Sequence, residues 1–321
     1  MTRPHRLYVG TIGEGIFRSI DSGESFRRAC DGMFVECDVR ALVVHPQQDN
    51  ILYVGNELGI FKSSDGGDRW SKLPAPLDGL EVWSLCIVPQ WPVTLLAGTR
   101  PSRIFRSDDS GRTWSEAVAP IERDCPRILH TRVTTIVSDP ANAEHLWAGV
   151  EIDGLYESHD AGRTWKPLGK GLSSLDIHAL AVTGAGLLLA TTNNDVNLSC
   201  DGGATWTPLD LKRFLPWSYF RGLGQKVNQP EVVFLGHGDF PPGSGGQIVR
   251  SLDGGATWTM TPLPLAQANS TIWNFAVHCA DPELIYASSV SGQVFRSTDG
   301  GTTWMKLTRE FGEIRALVWT P

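Results

Sequence analysis

One octapeptide recurs seven times along this chain. Its copies read SIDSGESF, SSDGGDRW, SDDSGRTW, SHDAGRTW, SCDGGATW, SLDGGATW and STDGGTTW, with the shared pattern Ser-x-Asp-x-Gly-x-(Thr/Ser/Arg)-(Trp/Phe). They begin at residues 19, 63, 107, 158, 199, 251 and 297, so consecutive copies start 41 to 52 residues apart. A period of this length indicates a repeat architecture in which each unit is one supersecondary structure.

Each unit contains four short segments with the character of β-strands. In the second unit these segments are VRALVVHP from Val39, ILYVGNE from Ile51, GIFKSSD from Gly59 and DRWSKL from Asp68. All four are rich in β-branched or aromatic residues and are bounded by Gly, Pro, Asn or Asp, as strands are. Four antiparallel strands per period predict one propeller blade, and the octapeptide is then the hairpin between the third and fourth strands.

The two ends of the chain complete the ring. The N-terminal RLYVGT has the pattern of a second strand, whereas the C-terminal EIRALVWTP has the pattern of a first strand. We therefore expect the segment 313–320 to pair with the segment 6–11, which would leave the ring without an open edge there. The predicted fold is all-β, a single seven-bladed β-propeller of four-stranded antiparallel blades that spans residues 1–321 as one domain.

The octapeptide resembles the Asp-box, or BNR repeat, of sialidases, sortilin-type receptors, xyloglucanases and the photosystem II assembly-factor propeller. This resemblance covers nearly the whole chain and implies the propeller fold, but these families share the box and not the chemistry. It also implies that the box lies at the periphery, away from the ligand face. We therefore expect structural roles for the seven box aspartates, which are Asp21, Asp65, Asp109, Asp160, Asp201, Asp253 and Asp299.

Composition narrows the possible partners and locations. The net charge of -7 disfavours nucleic acid and anionic membranes, because both attract basic proteins. The first residues, MTRPHRLYVGT, lack the apolar core of a signal peptide, and the six cysteines include no CxxC pair. We therefore expect a cytoplasmic protein with reduced thiols, and neither a nucleic-acid partner nor a membrane partner.

The first strands of the seven units predict a layer of side chains around the central channel. The second position of this strand is Arg40, Trp83, Thr134, His178, Arg221, Trp273 and Arg315 in successive units. Arginines bind carboxylate, sulfate or phosphate, and tryptophans offer faces to sugar rings or cations. Arg40, Trp83, Arg221, Trp273 and Arg315 are therefore candidate ligand-binding residues. The alternative is that the arginines pair with nearby carboxylates and plug the channel.

The loops that follow the second strands carry acidic residues on the same face. Glu57, Glu151 and Asp195 are candidate ligand-binding groups from these loops. The loop from His237, HGDFPPGSGGQ, is longer than its counterparts and rich in Gly and Pro, as a ligand-covering loop is. The segments that lead into the fourth and sixth units are enlarged too.

One sector of the ring concentrates groups suited to proton transfer. His178, His237, Asp239 and Tyr219 are the candidate catalytic residues, with Arg221 placed to stabilise negative charge. Together they favour hydrolysis of, or elimination from, an anionic or sugar-like substrate without a nucleotide cofactor. His178, His237 and Asp239 are also candidate ligands for a divalent metal, with a solvated loop as the alternative. His45, His145 and His278 are expected to be structural.

The resemblance to sialidases does not extend to their activity. Only Tyr219 could serve as the tyrosine nucleophile, the Phe/Tyr-Arg-Ile-Pro motif is missing, and the chain has seven units where sialidases have six blades. A glycosidase that uses two carboxylates remains open, but nothing in the sequence selects the pair. A protein-docking scaffold without catalysis, like the photosystem II assembly propeller, is the competing hypothesis.

Overall fold

The computed structural model describes residues 4–77, 79–88, 93–184 and 186–321. In these residues the chain forms thirty β-strands and one 3-10 helix, Leu211–Arg213. Twenty-eight of the strands build seven four-stranded antiparallel sheets, which are the blades of a seven-bladed β-propeller. The predicted fold class is confirmed.

The first half of the ring is built from the following strands. They are β1 (Arg6–Thr11), β2 (Ile16–Ser19), β3 (Arg27–Arg28), β4 (Ala41–His45), β5 (Gln48–Asn56), β6 (Gly59–Ser63), β7 (Ser71–Lys72), β8 (Glu81–Val88), β9 (Thr94–Arg100), β10 (Ile104–Ser107), β11 (Ser115–Glu116), β12 (Asp124–Cys125), β13 (Leu129–His130), β14 (Val133–Asp139), β15 (Asn142–Val150), β16 (Gly154–Ser158) and β17 (Lys166–Leu168).

The remaining strands complete the ring. They are β18 (Ile177–Gly184), β19 (Leu187–Thr192), β20 (Val196–Ser199), β21 (Thr207–Pro208), β22 (Tyr219–Lys226), β23 (Gln229–Gly238), β24 (Gly246–Ser251), β25 (Thr259–Thr261), β26 (Ile272–Ala276), β27 (Ile285–Ser289), β28 (Val294–Ser297), β29 (Met305–Lys306) and β30 (Ile314–Thr320).

The blades follow chain order, except where the two ends meet. The first blade is β30-β1-β2-β3, the next two are β4 to β7 and β8 to β11, and the last four are β14 to β17, β18 to β21, β22 to β25 and β26 to β29. The short hairpin β12-β13 lies outside the blades. In the first blade Leu7 pairs with Trp319 and Val9 pairs with Leu317, so the C-terminal strand closes the ring as predicted.

Glycines in the second strands let neighbouring blades approach closely. A Cβ atom on Gly55 would lie 2.4 Å from Cγ1 of Val82, which lies on the inner strand β8 of the next blade. A Cβ atom on Gly10 would meet Val39 at the same distance. Any larger side chain would force the blades apart, so these glycines fix the distance between blades.

The octapeptide forms the hairpin between the third and fourth strands of each blade. In the last copy, Asp299 accepts hydrogen bonds from the backbone N–H groups of Thr302 (3.0 Å) and Thr303 (2.9 Å) and from the Thr303 hydroxyl (2.6 Å). Ser297 donates to the same carboxylate at 2.8 Å and accepts from the Gly301 N–H. The aspartate therefore accepts the hydrogen bonds of backbone N–H groups in a tight turn.

Arginines on the third strands connect one hairpin to the next. Arg106 donates to the carbonyl of Ala161 at 2.7 Å, and Arg296 donates to the carbonyl of Ser22 at 2.8 Å. Each acceptor belongs to the octapeptide of the following blade. These bonds hold adjacent blades together on the face opposite to the loops between second and third strands.

Candidate ligand site on the channel face

The predicted layer of side chains coincides with an irregularity in the inner strands. The pairing of β18 with β19 shifts register between Ile177 and Ala179, which leaves His178 as the extra residue of a β-bulge. The same shift occurs at Trp83, Thr134, Trp273 and Arg315, and near Arg221. Bulges redirect side chains, so these residues surround the mouth of the channel.

These seven residues, called here the inner ring, line a cavity of about 260 Å³. The inner ring consists of Arg40, Trp83, Thr134, His178, Arg221, Trp273 and Arg315. The floor of the cavity is apolar and is formed by Leu42, Leu85, Ile136, Leu223, Phe275 and Leu317. Leu42, Leu85, Ile136 and Leu223 also line a second cavity, of about 580 Å³, that opens on the opposite face. The channel is therefore divided by an apolar layer.

Each tryptophan of the inner ring contacts two arginines. The Cζ atoms of Arg40 and Arg132 lie 4.5 and 4.2 Å from the ring centre of Trp83. Those of Arg221 and Arg315 lie 4.1 and 4.3 Å from the ring centre of Trp273. The indoles therefore hold guanidinium groups at the mouth of the cavity by cation–π contacts.

A second set of residues precedes the inner ring by two positions in every blade, and we call it the outer ring. Its members are Asp38, Glu81, Arg132, Asp176, Tyr219, Thr271 and Glu313. Arg40 contacts Asp38 at 2.8 Å and Glu81 at 3.4 Å, and Glu313 forms an ion pair with Arg315. The outer ring therefore neutralises part of the inner ring, as the channel-plug alternative requires.

Most of the outer ring was missed in the sequence analysis, which considered only Tyr219. Glu81 and Tyr219 begin the inner strands β8 and β22, whereas the other five members precede theirs, so the alternation of side chains along a strand did not indicate them. Arg132 is the main addition. It forms an ion pair with Glu151 and lies over Trp83. Burial, with the nearby charges of Arg221, Arg100 and Arg315, lowers the pKa of Arg132 to about 9. The mouth therefore concentrates arginines, most of which have acidic partners.

Arg221 is the exception among the arginines of the inner ring. It is 8% exposed, and it forms no ion pair with any described residue. Its charge nevertheless reaches its neighbours. Burial first, and then the charge of Arg221, lower the pKa of His178; burial opposes the lowered pKa of Asp176, to which Arg221 contributes after His178. A buried cation without a carboxylate partner is energetically costly, so an anion in the cavity would stabilise this arrangement.

His178 is fixed by two polar contacts. Its Nδ1 atom lies 2.6 Å from the carbonyl oxygen of Phe220, and its Nε2 atom lies 3.5 Å from Oδ1 of Asp176. Burial and the charge of Arg221 lower its pKa below the ordinary value. The ring is therefore favoured in its neutral form, whose single N–H is donated by Nδ1 to the Phe220 carbonyl, so Nε2 is an acceptor and cannot donate to Asp176.

A side cavity of about 330 Å³ adjoins the channel mouth at His178. Its lining includes Glu151, Asp176, His178, Tyr219 and Asp239. The rings of His178 and Tyr219 lie 5.0 Å apart, and burial raises the pKa of the Tyr219 hydroxyl. Four of the sequence-predicted residues therefore meet around one cavity, together with Asp176.

The other predicted residues lie apart from these cavities. His237 is fully buried, its Nδ1 atom is 3.2 Å from the carbonyl oxygen of Trp217, and burial lowers its pKa to about 4. Asp195 accepts from the backbone N–H groups of Val196 (2.8 Å) and Leu211 (3.1 Å), and Glu57 accepts from that of Asp38 (2.8 Å). In the described residues these groups orient loops, and none lines either cavity.

Asp239 lines the side cavity and also accepts hydrogen bonds within its own loop. Its Oδ1 atom accepts from the backbone N–H groups of Ser244 (2.9 Å) and Gly245 (3.1 Å), and its Oδ2 atom accepts from the Ser244 hydroxyl (2.8 Å). It therefore shapes the loop from His237. His178, His237 and Asp239, the candidate metal ligands, form no cluster that could hold an ion among the described residues.

Comparisons with known proteins agree with the fold. No protein-family model matches the chain, and no curated protein matches it significantly. A structure of YCF48 bound to D1 peptide aligns at 15% identity over 84% of this chain and 82% of that chain, with a TM-score of 0.58. A putative 6-phosphogluconolactonase from Bacteroides fragilis aligns at 10% identity over 99% and 98%, with a TM-score of 0.66.

An enzyme with a longer chain is also similar in structure. An ancestral GH74 enzyme aligns at 15% identity and a TM-score of 0.66, over 91% of this chain but 39% of that chain. The fold is a β-propeller. At such identities the resemblance extends to the fold alone, and the propellers compared include both enzymes and the peptide-bound YCF48. In the described residues, no helix is long and apolar enough to cross a membrane.

Proposed function

We propose that the channel face binds a small anionic or sugar-like molecule in the cavity enclosed by the inner ring. The observation that carries this proposal is Arg221, which lies buried on Trp273 beside the cavity and pairs with no carboxylate of the described residues. The other inner-ring arginines, Arg40 and Arg315, have acidic partners. The anionic group of the ligand would supply the missing partner of Arg221.

The tryptophans have a different part in this proposal from the one expected. Each indole already contacts two guanidinium groups, so the indoles preorganise arginines rather than standing free as walls for a sugar ring. A preorganised guanidinium loses less freedom when it binds an anion. Polar groups of Thr134 and Asn274 also line the cavity and suit the hydroxyl groups of a sugar acid.

We extend the proposal to proton transfer at the side cavity beside His178. His178 and Asp176 form a polar pair there, and Tyr219 lies beside them. A neutral His178 favours the role of general base over that of general acid. The reaction would be hydrolysis of, or elimination from, the ligand held by Arg221. His237 has no part in this version, because it is buried away from both cavities.

Quenching of tryptophan fluorescence tests the binding proposal. A panel of small carboxylates and sugar acids, including malonate and glucuronate, would be titrated against wild type, with glucose as the uncharged control. We expect an acid to bind wild type and to lose its affinity for the Arg221→Ala/Arg315→Ala variant. The Arg69→Ala variant is the matched control, since Arg69 is exposed and pairs with Asp31. Equal affinity for all three proteins would place the site elsewhere.

Protein docking is the second candidate, and a separate observation favours it. Several large apolar side chains on the loops of the channel face are exposed, namely Phe34, Leu129, Leu175, Phe214 and Phe240. Exposed apolar groups around a polar centre are typical of binding surfaces for proteins. A Phe214→Ser/Phe240→Ser variant should bind small acids normally if the cavity is the site, and should lose only a protein partner.

A further inference from the structure

Three potential metal ligands converge on the fourth blade, away from the channel. His145 lies on β15, Glu157 lies on β16, and His159 follows β16 inside the octapeptide SHDAGRTW. One ligand atom from each of the three side chains lies within 4.8 Å of the other two. His145 and Glu157 are half-buried, and His159 is exposed. Sequence analysis treated His145 as structural.

The fourth blade departs from the repeat at each of these positions. Where it has Glu157, five other blades have a cation: Arg18, Lys62, Arg106, Arg250 and Arg296. Four of these cations donate to a backbone carbonyl of the next octapeptide. Glu157 cannot donate such a hydrogen bond. The fourth blade therefore has a carboxylate where four other blades have a cation that bonds to the next blade.

The position of His145 is apolar in most of the other blades. Its counterparts are Arg6, Ile51, Thr94, Leu187, Val232 and Leu284, and those of His159 are Ile20, Ser64, Asp108, Cys200, Leu252 and Thr298. No other blade has a histidine at either position. Two histidines and one carboxylate therefore replace residues of other chemistry at a single point of the ring.

The distances suit a metal ion. Nε2 of His159 lies 3.2 Å from Oε2 of Glu157, and Nε2 of His145 lies 3.9 Å from the same oxygen. Zinc bonds to nitrogen and oxygen of about 2.0–2.2 Å place tetrahedral ligand atoms roughly 3.3–3.5 Å apart. Because the two imidazole rings are stacked, the exposed His159 side chain would have to rotate for both rings to face one ion.

The surroundings of His145 also suit a residue that binds a metal ion. Its Nε2 atom is inaccessible to solvent and has no hydrogen-bond partner among the described residues. Its Nδ1 atom lies 3.6 Å from Oδ2 of Asp139, and its ring stacks on that of His159 with 4.4 Å between centres. A carboxylate behind the second ring nitrogen is the usual support for a histidine that binds a metal.

We propose that His145, Glu157 and His159 bind one divalent transition-metal ion of the zinc class, with Asp139 as a positioning residue. Two imidazoles and a carboxylate favour such ions over calcium or magnesium, which prefer sets of oxygen ligands. Because His159 is exposed, water could complete the coordination of the ion. The site lies on the octapeptide face, so it does not depend on the proposed function of the channel.

Titration of the untagged, metal-free protein with Co²⁺, followed by displacement with Zn²⁺, tests the proposal. We expect wild type to bind one equivalent with visible d–d absorption of a tetrahedral or five-coordinate ion. His159→Ala and Glu157→Gln should each weaken binding at least about tenfold, and Asp139→Asn should weaken it by about 10-fold to 100-fold. His159 is exposed, so its replacement should not disturb folding.

His278→Ala is the matched control. His278 lies 3.3 Å from Asp49, but it belongs to no group of potential metal ligands among the described residues. This variant should bind Co²⁺ as wild type does. Failure of wild type to bind one equivalent, or equal affinity of wild type and the His159→Ala variant, would overturn the proposal.

Discussion

The guanidinium of Arg221 lies over the indole of Trp273, with its Cζ atom 4.1 Å from the ring centre. Neighbouring arginines share this geometry, but they also have acidic partners, whereas Arg221 has none in the described part of the chain. The contact holds in place a buried positive charge that forms no ion pair with a carboxylate of the described residues. Such a charge serves binding at the expense of stability.

Replacement of Arg221 by methionine should therefore separate stability from binding. We expect Arg221→Met to keep or raise the free energy of unfolding, because it removes a buried charge that forms no ion pair with a carboxylate of the described residues, and to abolish anion binding. Arg18→Met is the control, since Arg18 is also buried but donates to Gly66 and Asp68. It should cost about 1–3 kcal/mol. Urea denaturation measures the free energy of unfolding of both variants. An equal decrease in Arg221→Met and Arg18→Met would refute the account.

Breaking the ion pair of Arg132 and Glu151, in contrast to replacing Arg221, should lower the free energy of unfolding. Their side chains are 22% and 11% exposed, so Arg132→Ala leaves a largely buried carboxylate without its cation. We expect a loss of about 3 kcal/mol in the free energy of unfolding. The Arg132→Ala/Glu151→Ala variant should lose less than the sum of the single variants, by about 1–3 kcal/mol. Additive losses in a double-mutant cycle would show that the pair does not interact.

The buried His237 makes the protein sensitive to mild acid. Burial lowers its pKa to about 4, whereas the unfolded chain takes up the proton near pH 6.5. The unfolded state therefore binds more protons between these values, and stability falls as pH drops from about 6.5 to 4 by roughly 3 kcal/mol from this residue. His237→Gln should flatten that part of the pH profile. An unchanged slope would mean that the histidine is protonated in the fold.

The octapeptide aspartates should contribute stability without affecting the ligand. Burial alone would raise the pKa of Asp299, but hydrogen bonds from Thr303, Ser297 and Thr302 lower it to about 2. This contribution is present above the unfolded pKa of about 3.9 and is lost as pH falls through the folded value. We expect Asp299→Ala to lower the melting temperature and to leave acid binding at the channel unchanged. A parallel loss of binding would assign the hairpin a direct role.

The features that could be predicted from sequence are those that the repeat expresses seven times. The blade number, the closure by Ile314–Thr320 and the composition of the inner ring all follow from the spacing of octapeptides and the alignment of first strands. The redirection of His178 by a bulge could not be read from that alignment, because a bulge depends on the pairing register of two strands.

The repeat pattern of the sequence could not predict contacts between side chains of different blades. The approach of Arg132 to Trp83 joins side chains from two blades. Within the sixth blade, the burial of His237 depends on Phe220 and on Trp217 of the segment that leads into that blade, and the repeat pattern does not predict these contacts either. The cluster of His145 and His159 was missed because an alignment of the repeats emphasises the residues that the repeats share. A histidine that occurs in one repeat only is then disregarded. A comparison that asks where one blade differs from the other six would have found it.

A crystal structure with bound acid tests the central claim most directly. Crystals would be soaked in glucuronate and, separately, in glucose. The account predicts a carboxylate within hydrogen-bond distance of the Arg221 guanidinium, inside the cavity enclosed by the inner ring, and no glucose there under the same conditions. Glucuronate bound only away from Arg221, or water alone around its guanidinium, would contradict the account.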